Sequence, residues 1–99
     1  MTSPLPWRDA ALPPVAERFC RYAEVYTTSD PSASAFPSTE RQKDLSRLLV
    51  DELTALGVEA EMDEWGYVFA TLPSPLPSEQ AAALPVVALV AHVDTSPDA

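Results

Sequence analysis

Two side chains near the carboxyl end of this chain have the types and spacing of a metal-binding element. His92 and Asp94 are separated by Val93 and followed by Thr95, Ser96, Pro97 and Asp98. Imidazole is the commonest protein ligand for zinc, and a metal-bound histidine usually has a carboxylate behind it that fixes the tautomer and strengthens the donor. Residues i and i+2 of a β-strand share a face, so Asp94 is placed to serve His92 in this way. Two residues do not make a tetrahedral site. A bare His-x-Asp also fits a structural histidine at a strand end, with Asp94 opening a turn into Thr95, Ser96 and Pro97.

Something must hold the pair in place. The preceding run from Pro85 to Val93 is almost wholly apolar, through Val86, Val87, Ala88, Leu89, Val90 and Ala91. This pattern predicts a central strand buried on both faces, which requires helices over it and strands beside it. His92 and Asp94 would then lean over the strand's carboxyl end, the edge where ligands collect in open α/β sheets. Six residues follow Val93, so the chain reads as unfinished.

Upstream, Val58, Ala60 and Met62 alternate with Glu59, Glu61 and Asp63, the period of a strand with one wet face. Gly66 marks a turn, and Tyr67 to Leu72 is predicted to return as the second strand of a hairpin. The carboxylates between Glu59 and Glu64 read as a solvated strand face rather than a cation site. Before the hairpin, Leu45, Leu48, Leu49, Leu53 and Leu56 form a helical stripe of core-packing type, with Gly57 as its stop. Thr39 and Gln42 have capping-box spacing, Glu40 suits the helix dipole, and Ser38 or Thr39 is the expected N-cap.

An earlier helix is predicted to open at Pro13 and Pro14 and to carry Val15, Phe19, Tyr22 or Ala23, and Tyr26 on one side. Cys20 has no partner cysteine and reads as a structural thiol on that helix. Thr27 to Pro37 is turn-rich, and Ser78 to Ala83 reads as a surface excursion after Pro73, Pro75 and Pro77. The fold class is therefore α/β: two helices, a hairpin and a buried central strand. The domain division is a loose leader over residues 1–11 and an incomplete domain over 12–99.

Composition excludes several functions. The 99 residues include 15 acidic and 6 basic side chains for a net charge of -9, which phosphate backbones and anionic lipid surfaces repel. Nucleic acid and membrane are not expected partners. Residues 1–9 contain no apolar run of secretory type, and no stretch approaches a bilayer span, so the cytoplasm is the default location. A Gly-rich phosphate loop, a heptad series and paired cysteines are all missing from the sequence.

The run Ala91-His92-Val93-Asp94-Thr95-Ser96-Pro97-Asp98 resembles the first metal motif of the M20 family of zinc metallopeptidases, and its Thr-Ser-Pro-Asp tail resembles the aminotripeptidase branch. Arg18-Phe19-Cys20-Arg21-Tyr22, Pro37-Ser38-Thr39-Glu40, Glu64-Trp65-Gly66-Tyr67 and Ala70-Thr71-Leu72-Pro73 follow the family order as well. The resemblance runs from about Leu12 to Ala99, roughly the first quarter of a typical member, while the leader has no counterpart. It implies the N-terminal portion of a zinc-exopeptidase catalytic domain that removes the N-terminal residue of tripeptides with two zinc ions, about 3.5–4 Å apart in such sites.

On that resemblance His92 would ligate one zinc, and Asp94 would be the catalytic carboxylate that orients and polarises it. The bridging aspartate, the glutamate base and its glutamate neighbour, a further carboxylate and a late histidine would all lie beyond Ala99. The 99-residue chain alone is expected to be inactive, since one imidazole cannot hold zinc. Two other readings stay open: an M20 dipeptidase, carboxypeptidase or amidohydrolase, and a non-catalytic α/β binding module.

Overall fold

A computed structural model describes Arg8 and residues 11–98. The elements in chain order are α1 (Pro14–Ala23), α2 (Gln42–Ala55), β1 (Glu59–Met62), β2 (Val68–Thr71) and α3 (Ser78–Ala82). The mixed α/β class holds. Of the expected leader, only Arg8 and Ala11 are among the described residues.

The best-formed unit is α2 with the hairpin. α2 stops where the sequence says it should: Gly57 takes φ +84°, its N–H donates to the Thr54 carbonyl at 3.0 Å, and the Val58 N–H reaches back to the Leu53 carbonyl at 3.0 Å. This paired arrangement is a Schellman motif, open to glycine because it has no Cβ to clash in the left-handed region. The chain then turns directly into β1. The strands pair antiparallel with Glu59 opposite Thr71 and Met62 opposite Val68. Asp63 closes the connection, its Oδ1 accepting from the backbone N–H groups of Trp65 at 3.0 Å and Tyr67 at 2.9 Å.

Leu45 is the one buried large apolar side chain among the described residues, accompanied by buried Ser46, Gln42 and Thr27. The Ser46 hydroxyl donates to the Gly66 carbonyl at 2.7 Å and ties α2 to the hairpin turn. The leucine stripe fades toward its end: Leu48, Leu49 and Leu53 are half-buried, and Leu56 is exposed.

Four expectations need correction. α2 begins at Gln42, preceded by a turn through Glu40 and Arg41, and has no side-chain N-cap. The Thr39 hydroxyl is committed elsewhere, to the Thr28 carbonyl at 2.9 Å. On α1, Val15 and Phe19 are exposed rather than packed, because that helix docks through its polar side, where Arg21 and Tyr22 bond Glu52; the helix ends at Ala23, so Tyr26, also exposed, lies beyond it. Residues 78–82 form a short exposed helix instead of an irregular excursion.

The last correction concerns the buried central strand. Residues 85–94 have no regular secondary structure, and Val86, Leu89 and Val90 are 96%, 96% and 94% exposed. A strand that is to be buried on both faces needs partners on both edges, and β1 and β2 pair only with each other.

Candidate functional site

His92 and Asp94 lie in the irregular segment just before Thr95. The His92 Nδ1 and the Asp94 Oδ1 are 2.9 Å apart. With the proton on Nδ1 the ring donates to the carboxylate, which leaves the Nε2 lone pair free for another partner. The histidine side chain is 84% exposed and that of Asp94 is 38% exposed, so the pair sits on the surface with Asp94 as its sheltered member.

The pair is held from one side. The Thr95 N–H donates to the Thr27 carbonyl at 3.2 Å, and the Ser29 N–H donates to the Thr95 carbonyl at 2.9 Å. Together they form an isolated parallel bridge between Thr28 and Thr95. The Ser29 hydroxyl adds a bond to the same Thr95 carbonyl at 3.2 Å. Sequence reasoning assigned Thr27 to Pro37 to a loop and gave it no part in the site. The partners are 67 positions apart, and neither composition nor periodicity signals such a pairing.

As a metal site the arrangement is incomplete. Zinc takes four donors, at least three of them from protein in catalytic centres, and the described residues contain no cluster of three or more histidine, cysteine or acidic side chains that could hold an ion. One imidazole with a carboxylate behind it fits a single ligand position with its orienting partner, and does not fit a whole site. The carboxylates of Glu59 and Glu61 point outward along β1, which keeps them from converging.

Comparison with known proteins places this geometry in context. No family model and no solved structure matches the chain. Curated proteins do. Peptidase T of Staphylococcus saprophyticus is 49% identical over 84 residues, covering 85% of this chain and 20% of the relative. Peptidase T of Staphylococcus carnosus is 49% identical over 82 residues, covering 83% and 19%. Peptidase T of Alkaliphilus oremlandii is 48% identical over 85 residues, covering 85% and 20%.

This chain is homologous to peptidase T. It spans about a fifth of the length of the peptidase T relatives it matches. No helix among the described residues is long and apolar enough to cross a membrane.

Proposed function

We propose that residues 12–99 are part of the catalytic domain of an M20-type zinc aminopeptidase that acts on tripeptides in the cytoplasm. In this reading His92 is one metal ligand and Asp94 is the carboxylate that orients it. The observation that supports it is the 2.9 Å contact between His92 Nδ1 and Asp94 Oδ1, in a chain whose relatives carry the name peptidase T.

The chemistry of the two residues is complementary. Asp94 accepts a hydrogen bond from the Nδ1–H, which selects one tautomer and raises the electron density at Nε2, the atom left to bind a cation. The bound metal would supply an activated water and polarise the scissile carbonyl. The sequence has one imidazole for this purpose, and the described residues hold no cluster of three or more ligand-type side chains, so the 99-residue chain is expected to lack peptidase activity by itself.

The reading is tested by grafting residues 12–98 into the S. saprophyticus peptidase T in place of the matching stretch and following Ala-Ala-Ala hydrolysis with added zinc. The graft is expected to turn over the tripeptide. His92→Ala is expected to abolish turnover, and Asp94→Asn to cost about 10–100-fold in activity or zinc affinity. Retained activity in the His92→Ala graft would overturn the assignment, as would tight one-to-one zinc binding by the 99-residue chain alone.

A further inference from the structure

Between Pro85 and Asp98, the hydrogen bonds that the described residues make to the rest of the chain all run through Thr95. Its backbone is clasped by Thr27 and Ser29, as described above, and its hydroxyl lies 3.4 Å from that of Thr28. Thr28 is itself fixed from the opposite side. Its carbonyl accepts from the Thr39 hydroxyl at 2.9 Å and from the Arg41 Nε at 2.9 Å. The Arg41 guanidinium also lies 4.2 Å from the centre of the Tyr26 ring, which fixes its direction. A continuous line of bonds therefore runs from the entry of α2 through Thr28 to Thr95.

Asp94 is the residue next to Thr95, and its carboxylate reaches back to His92. The contact joins two side chains that are largely or partly open to water, where ordering a flexible pair costs conformational entropy. Fixing the backbone at Thr95 removes part of that freedom before the bond forms. We propose that Thr39 and Arg41 are positioning residues for His92, acting through Thr28, Thr95 and Asp94. The proposal rests on the reading of His92 as a metal ligand, and gives the loop after α1 a role in presenting Nε2.

The test needs neither metal nor peptide. His92 is the only histidine in the chain, so the ring 15N resonances of the labelled 99-residue protein report its tautomer without ambiguity. At a pH where the ring is neutral, the wild-type chain is expected to show predominantly the Nδ1–H form. Thr39→Val is expected to lower that fraction at least about two-fold, toward the Nε2–H majority of a free imidazole. Thr39→Ser, which keeps the hydroxyl, is expected to restore it.

Gln42→Met removes a bond to the Thr39 hydroxyl at 3.0 Å without touching the bond to Thr28, and is expected to leave the wild-type pattern. In an Asp94→Asn background, Thr39→Val is expected to change nothing further. Should Thr39→Val lose its helical circular dichroism, Arg41→Lys is judged by the same criteria. A free-imidazole pattern in the wild type, an unchanged pattern in the folded variants, or a Thr39 effect that persists without the Asp94 carboxylate would each overturn the proposal. Such a failure leaves the peptidase reading standing, since that reading is decided by turnover in the His92→Ala graft.

Discussion

Glu52 is the residue on which the docking of α1 depends. Its carboxylate accepts from the Tyr22 hydroxyl and from the Arg21 guanidinium, and the Arg18 Nε lies 3.8 Å away. Burial pushes the Glu52 carboxyl up, but the bonds from Tyr22 and Arg21 and the charges of Arg21 and Arg18 outweigh it, so the group titrates below its ordinary value of 4.5. A carboxyl depressed in the folded state adds stability that is present above the unfolded value and disappears as pH falls through the folded one. The stability difference between wild type and Glu52→Gln, measured by urea unfolding, is therefore expected to be greatest near neutrality and to shrink below about pH 4.5. Tyr22 is shifted upward by burial and by its bond to Glu52. Its contribution has the opposite sense, present below its ordinary value of 10.0 and lost as pH rises through the folded value. The Glu52 cluster could not be read in advance because Tyr22 and Glu52 are 30 positions apart. His92 and Asp94 are only two apart, so their meeting needs no distant partner, although it occurs in an irregular segment and not in the strand expected there.

At the level of elements, α2 and the hairpin were legible because each is specified locally, by a leucine period, a stop glycine, and an alternation on either side of a turn. The two glycines there are expected to respond differently to alanine. At Gly57 an added Cβ meets nothing within 4 Å, so Gly57→Ala costs only the left-handed backbone penalty of about 1–2 kcal/mol. At Gly66, with φ +88°, the added Cβ would lie 3.0 Å from the Lys43 Cγ, so Gly66→Ala is expected to cost more unless the lysine shifts. Chemical denaturation of both variants decides the order. Leu45→Ala, at the one large buried apolar position described, is expected to cost about 2–5 kcal/mol. α3 escaped notice because a helix of 5 residues is too short to show a period. The apolar run at 85–91 was misread for another reason. Its composition states a need for cover, but cover comes from other segments and is not encoded in the run.

The molecule as a whole is open. Its radius of gyration is 17.0 Å, against about 13 Å for a compact chain of this length. Its accessible surface is 8109 Å², against about 5,500 Å² for a folded monomer of this mass. Val86, Val87, Leu89 and Val90 are 81–96% exposed, and contiguous exposed apolar side chains are sites of self-association. The chain is expected to associate reversibly in sedimentation velocity, and more so as salt screens its net charge of -9. The double substitution Val87→Lys with Leu89→Lys is expected to reduce association although it brings the net charge closer to zero, an outcome that separates apolar attraction from charge repulsion. The clasp at Thr95 also sets an order of assembly. α2 and the hairpin close through short stretches of chain, whereas Thr28 and Thr95 must find each other across 67 positions, and long closures come late. The amides of Ser29 and Thr95 should thus exchange with deuterium sooner than those of β1 and β2, so the histidine acquires its orientation as the final event of folding and surrenders it first.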